Sequence, residues 1–315
     1  MISPPPPVDS ALDAIGNTPV VRLRHLVPAG HAKVFLKLES LNPTGSYKDR
    51  MARSIIEEAE SQGKLKPGMT VVEATGGSTG SSLAFICAIK DYKFRVVSSN
   101  AFAVEKLRTM RALGATVEII HSESGGITAD LIPSMVRYAR EIAQEDGHFL
   151  ADQFNNGDAL PGYEAIGKEL TEQFPGGIDA FCGTVGGAGM VMGVSRILKS
   201  KWPETRVVIL ESASSPVITE GRAGSHSVEG IGIGFVPPHL DPTLYDEARG
   251  ISEEEGRAMC RQLAQKEGLL VGTSTGLNVV AAVALAKELG PGKTVVTVAV
   301  DTGLKYMNGN LLADA

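Results

Sequence analysis

Val71-Val72-Glu73-Ala74-Thr75-Gly76-Gly77-Ser78-Thr79-Gly80 passes from a short apolar run through a glycine-rich turn into a stretch of helical length, Thr79 to Lys90. A strand feeding a helix through a tight turn is half of a βαβ unit, and the pattern recurs along the chain. Further strand candidates are Phe94 to Ser98, Thr116 to Ile120, Ala180 to Cys182, Arg206 to Leu210 and Thr294 to Ala299, with Val34 to Leu38 upstream. They are nearly continuous in apolar residues, which is expected of strands covered on both faces. Asp49 to Gln62, Ala103 to Leu113, Ala129 to Gln144 and Leu277 to Leu289 read as helices, and Ser252 with Glu255 three residues later makes a capping box for another. Turn formers concentrate at Asn155-Asn156-Gly157-Asp158, dividing the βα units into two groups. The predicted class is α/β, with two domains that are each a mostly parallel twisted sheet covered by helices.

The chain has 315 residues, 43% apolar and 21% charged, so it is expected to be globular with a large core. A formal charge of −6, with no basic cluster interleaved with aromatics, argues against nucleic acid as a partner. No run of about 18 apolar residues is present, so no membrane span is expected. Cys87, Cys182 and Cys260 lack metal spacing, fall in apolar or helical stretches and are odd in number. The proline-rich lead-in Met1 to Pro7 has no signal-peptide pattern, and a cytoplasmic protein is the expectation. None of the six histidines shows ligand spacing or a triad pattern.

Three segments carry chemistry. Lys48 falls where a turn meets a helix, and a helix N-terminus together with desolvation favours the neutral amine that a Schiff base needs. By spacing alone it reads first as an ordinary surface lysine, since lysine is rarely buried. The loop Glu73 to Gly80 aims backbone amides and hydroxyls at a helix start, where an anion such as a carboxylate binds; alternatively its glycines only permit a tight turn. Gly183-Thr184-Val185-Gly186-Gly187-Ala188-Gly189-Met190 follows a strand and opens a helix, so it can cradle a phosphate. The same loop, with Gly193 and with Glu211 at the end of the next strand, also imitates a dinucleotide fingerprint, which makes a nicotinamide-dependent dehydrogenase the rival reading. Further on, Glu267 to Gly276 reads as strand, turn and helix, with Ser274 or Thr275 as N-cap.

Ile15-Gly16-Asn17-Thr18-Pro19-Val20 and Asn42-Pro43-Thr44-Gly45-Ser46-Tyr47-Lys48-Asp49-Arg50, followed in order by the later motifs, resemble the cysteine synthase family (O-acetylserine sulfhydrylase, with cystathionine β-synthase as a close relative). The likeness runs from about residue 11 to about residue 307. It implies fold type II of the pyridoxal phosphate enzymes, the tryptophan synthase β-like fold. Residues 1–40 and 155–315 would form a larger, phosphate-binding domain, 41–154 a smaller mobile one, and the active site would lie in the cleft. It further implies pyridoxal 5'-phosphate on Lys48, which also acts as the base. The substrate carboxylate would lie on Thr75, Gly76, Gly77, Ser78, Thr79 and Gln153, with Ser78 beside the ring hydroxyl. Gly186, Gly187, Ala188, Gly189 and Met190 would take the phosphate, Ser274 the ring nitrogen, and Gly230 would belong to a mobile segment, Val228 to Gly232.

Several positions depart from the family pattern: Gly76 replaces a serine, Ser78 an asparagine, and Gly187 and Met190 replace threonines. A hydroxyl at 274 cannot keep the ring nitrogen firmly protonated, which weakens the electron sink and favours loss of a β-substituent. The activity implied is β-replacement on an activated L-serine, such as O-acetylserine, with sulfide to give L-cysteine through an aminoacrylate. A cysteine desulfhydrase or another β-eliminating lyase is the alternative, and a homodimer is implied.

Overall fold

The computed structural model describes residues 6–125, 128 and 130–312. Met1 to Pro5 of the lead-in and the expected helix start at Ala129 lie outside the described residues.

Ten strands form two sheets among the described residues. The larger joins β1 (Val20–Arg22), β2 (Lys33–Lys37), β10 (Thr294–Val298), β7 (Ala180–Thr184), β8 (Arg206–Ser212) and β9 (Glu247–Ile251) in that order. The smaller joins β5 (Thr116–Ile120), β4 (Lys93–Ser99), β3 (Thr70–Ala74) and β6 (His148–Leu150). Every pairing is parallel except that of β1 with β2, where Val21 faces Leu36. The helices are α1 (Lys48–Ser61), α2 (Ser78–Lys90), α3 (Val104–Ala112), α4 (Leu131–Ile142), α5 (Leu160–Gln173), α6 (Gly189–Lys201), α7 (Val217–Glu220), α8 (Glu253–Gln262) and α9 (Thr273–Leu289). The central strands β3 and β7 are buried at every position, as their apolar runs demand.

The three strands not foreseen, β1, β6 and β9, all lie at sheet edges. An edge strand needs little apolar surface, and none of the three has a continuous apolar run buried on both sides. The segment Glu267 to Leu270 is not the expected strand. Leu263–Glu267 winds as one wide helical turn ended by Gly268 in the left-handed conformation, and Val271 makes an isolated bridge to Thr302. Helix α9 starts at Thr273 and Gly272 is its N-cap, so neither Ser274 nor Thr275 caps it. The Thr275 hydroxyl is instead occupied by the Val300 amide at 2.9 Å. The Ser252 cap is present, accepting from the Glu255 amide at 3.4 Å.

The start of α1 is fixed by a buried charge cluster. Arg50, 5% exposed, reaches Glu39 on one side at 2.7 Å and Glu169 of α5 on the other at 2.6 Å, and Lys37 of β2 also bonds Glu169 at 2.7 Å. Burial alone would raise the Glu169 carboxyl, but Arg50 and Lys37 bring it down to about 2. Four charges taken out of water together tie α1 to the larger sheet and to α5, two residues from Lys48. The three cysteines are free and buried, and burial pushes each thiol up to about 12.

Candidate active site

Loops leaving the carboxyl ends of β2, β3, β7 and β10 converge. Ser46 bridges Asp301, Ser78 faces Asp301, and Gly186 packs on Gly230. In open parallel sheets this end of the strands is where ligands bind.

Lys48 is the first residue of α1, and its amide is accepted by the Ser46 hydroxyl at 3.2 Å. Its ammonium donates to the Tyr163 hydroxyl of α5 at 3.0 Å and stands 5.0 Å from the Tyr47 ring centroid. Burial lowers its pKa to about 8, against an opposing pull from Glu73. The neutral, nucleophilic form of this amine is therefore far more accessible near physiological pH than that of an ordinary lysine, although the ammonium still predominates. Glu73, 3% exposed, is the penultimate residue of β3, and its carboxylate accepts the Ala74 amide at 2.9 Å and the Gln153 amide at 3.0 Å. Burial raises the Glu73 carboxyl to about 7.

After β3 the chain makes the predicted glycine turn. The Thr75 hydroxyl accepts the Gly77 amide at 3.2 Å, and Gly77 is the N-cap of α2 without any side-chain cap. The Thr79 hydroxyl donates to Gln153 Oε1 at 2.7 Å, so two residues expected to share a carboxylate do meet. A Cβ on Gly76 would lie 2.0 Å from the Phe102 ring, which accounts for glycine at that position. The Ser78 hydroxyl accepts from the Lys305 ammonium at 3.0 Å and faces Asp301 Oδ2 at 3.5 Å.

After β7, Ala188 takes the left-handed conformation (φ +63°) at the N-cap of α6, again with no side-chain cap. The Val185 amide donates to Leu210, but among the described residues the amides of Gly186 to Val191 find no protein acceptor. Met190 turns its side chain into the core, leaving its amide as the polar group it offers. A Cβ on Gly186 would sit 2.1 Å from the Gly230 carbonyl oxygen, which brings Gly230 to this loop. Ser274, 4% exposed, is in the first turn of α9, and none of the described hydrogen bonds involves its hydroxyl.

Glu73, Tyr163, Lys305, Asp301 and His239 were missed in the sequence as contributors to this region. A lone acid ending an apolar strand was a legible signal for Glu73. Nothing local marks the others. His239 Nε2 is buried without a partner, and burial, helped by the charge of Lys48 and opposed by a backbone hydrogen bond to Gln153, lowers its pKa.

The unbonded amides after β7 suit a phosphate, the free Ser274 hydroxyl suits a neutral ring nitrogen, and the buried Lys48 amine suits an aldehyde. Pyridoxal phosphate carries all three groups, so this donor set fits it and defines a pyridoxal-dependent enzyme. The chain matches the family described as pyridoxal-phosphate dependent enzyme over residues 11–301 and belongs to that family. Within it, the chain is a pyridoxal-phosphate dependent enzyme of the cysteine synthase type. It is 40% identical over 305 residues to the cysteine synthase of Staphylococcus aureus (strain N315), covering 96% of each chain. The crystal structure of an O-ureido-L-serine synthase superimposes with a TM-score of 0.90 at 34% identity, covering 98% of this chain and 96% of that one. A hydrogen sulfide-producing enzyme from Fusobacterium nucleatum gives a TM-score of 0.88 at 33% identity, covering 95% and 100%.

The nicotinamide reading is overturned by this membership and by Glu211. That carboxylate, 3% exposed, is occupied by the amides of Ile218 and Thr219 and by the Thr219 hydroxyl, all at the start of α7, so it does not offer itself to a ribose. Among the described residues no helix is long and apolar enough to cross a membrane.

Proposed function

We propose that the protein replaces the β-substituent of an activated L-serine, such as O-acetylserine, with sulfide to give L-cysteine. The observation that carries this reading is the Lys48 amine, buried, with its pKa lowered to about 8, and held by Tyr163 at one convergence of loops. Bound at Lys48, pyridoxal phosphate supplies an electron sink conjugated to the substrate's Cα. The amides of Gly186, Gly187, Ala188, Gly189 and Met190 hold the phosphate. Ser274 hydrogen-bonds the ring nitrogen without protonating it. The substrate carboxylate lies on the turn Thr75 to Thr79, with Gln153 oriented by Thr79 and Glu73. Lys48 takes the proton from Cα and returns it after the nucleophile has added. Gly230, on the segment against Gly186, closes over the site.

The division into domains 1–40 with 155–315 and 41–154 is supported by the sheets, since β1 and β2 pair into the larger sheet while β3 to β6 make the smaller. A cytoplasmic homodimer completes the reading. Release of sulfide from cysteine is the second reading, favoured by the likeness to a hydrogen sulfide-producing enzyme and by Gly76 lying under Phe102 in the substrate loop.

The test compares wild type and Lys48→Ala after incubation with pyridoxal phosphate, given O-acetylserine plus sulfide or cysteine alone. Cysteine formation by wild type, reduced on the order of 100-fold or more in Lys48→Ala, supports the proposal. Sulfide release from cysteine with no synthesis replaces it with the second reading. A protein that takes up no cofactor refutes both.

A further inference from the structure

Lys305 lies on the helical turn Gly303–Tyr306 that follows Asp301, and its ammonium donates to the Ser78 hydroxyl at 3.0 Å. An ammonium has no acceptor, so the Ser78 oxygen receives that bond and its own proton must point elsewhere. Within the protein that proton has Asp301 Oδ2, at the far limit of a hydrogen bond (3.5 Å), an oxygen that also accepts the much shorter bond from the Tyr306 hydroxyl at 2.7 Å. The Ser78 proton is thus poorly used by the protein itself.

Asp301 Oδ1 is buried and unbonded, and it lies against Gly272 at the start of α9, two residues from Ser274. The lysine segment closes the same corner, since Ser46 bridges Asp301 and the Tyr47 amide donates to Val300 at 3.2 Å. Ser78, Lys305 and Asp301 therefore line the region between Lys48 and Ser274. The Gly186 to Gly189 loop packs elsewhere, on Gly230, Phe154 and Tyr163. In pyridoxal phosphate the phenolic oxygen and the phosphate arm sit on the two carbons that flank the carbonyl-bearing one. A ring joined to Lys48 with its phosphate on the Gly186 loop would therefore have Ser78 as the residue to hold its phenolic oxygen.

Resting on the cofactor reading above, we propose that Lys305, acting through Ser78, is a positioning residue that holds the cofactor's phenolic oxygen in its anionic form. The ammonium polarises the Ser78 hydroxyl from behind, so the bond Ser78 donates forward is charge-assisted and favours an anion over a neutral hydroxyl. A cation on the adjacent loop takes over where this chain has a short hydroxyl side chain. Burial lowers the Lys305 pKa, an effect that the charges of Asp301 and Asp49 oppose and that of Lys106 adds to.

The experiment loads wild type, Lys305→Met, Lys305→Gln, Lys305→Arg, Ser78→Ala and the Ser78→Ala/Lys305→Met double variant with pyridoxal phosphate. At one neutral pH it reads the ratio of the long-wavelength absorption of the anionic ring to the near-ultraviolet absorption of the neutral one. The ratio is expected to fall about fivefold on Lys305→Met, the difference between a charge-assisted and a neutral hydrogen bond. Lys305→Arg retains the wild-type ratio, and the double variant falls no further than Ser78→Ala. Lys305→Gln gives the same fall as the methionine variant and decides the matter if that variant does not fold. An unchanged ratio in the uncharged variants with cofactor bound overturns the proposal and leaves the cofactor reading standing, as do effects of Ser78 and Lys305 that simply add. A wild type that binds no cofactor overturns both.

Discussion

Replacing Glu73 with glutamine should change how folding stability depends on pH, by an amount that follows from its burial. The folded carboxyl is held at about 7, against an ordinary value of 4.5. Its stabilising contribution is fully present below the unfolded value and is lost as pH rises through the folded one, because over that interval the native protein keeps a proton that the unfolded chain has released. At about 1.4 kcal/mol per pH unit, the loss between about pH 5 and about pH 8 is about 2.5 kcal/mol. Glu73→Gln has no proton to keep, so its stability lacks this slope. Its amide oxygen can serve one of the two amides that the carboxylate accepts, Ala74 or Gln153, and leaving the other unpaired costs about 1–3 kcal/mol at any pH. The variant should therefore be clearly less stable than wild type at about pH 5 and nearly equal to it, or better, at about pH 8. Urea midpoints of the cofactor-free proteins at both pH values, followed by far-ultraviolet circular dichroism and by the fluorescence of Trp202, the single tryptophan, measure the difference. A stability gap of the same size at both pH values would refute the reasoning, since Glu73 would then be ionised in the folded protein throughout.

Arg50→Met leaves Glu39 and Glu169 buried without their common partner, and a drop of about 3–5 kcal/mol in urea unfolding is expected. Tyr163→Phe removes the hydroxyl that accepts from Lys48, so kcat should fall about 2- to 10-fold while the melting temperature stays near wild type. Gly76→Ser forces a side chain into the Phe102 ring, and the displaced turn should raise KM for the amino-acid substrate about 5- to 100-fold. Adding Phe102→Ala to that variant should recover most of the loss, which steady-state kinetics on the two variants will check.

The alternation of apolar runs with amphipathic stretches was enough to predict the α/β class and its central strands, because strands buried on both faces leave nearly continuous apolar runs such as Val71-Val72 and Val295-Val296. Edge strands β1, β6 and β9 left no such trace, since pairing on one side needs little apolar surface. The turn after β3, the amide cluster after β7 and Lys48 at a helix start were likewise legible, because glycine and hydroxyl residues between a strand and a helix act through local backbone geometry. Local pattern failed at Gly272, where α9 starts a turn early, and at Glu211, whose place at a strand end suited a ribose until α7 took up its carboxylate. Which groups surround Lys48 was decided by tertiary structure alone. Tyr163 lies 115 residues from Lys48 in the chain and Lys305 lies 227 from Ser78, so no spacing rule links them. Burial depends on everything packed around a group at once, and it is burial that lowers the Lys48 amine to about 8 and raises the Glu73 carboxyl to about 7.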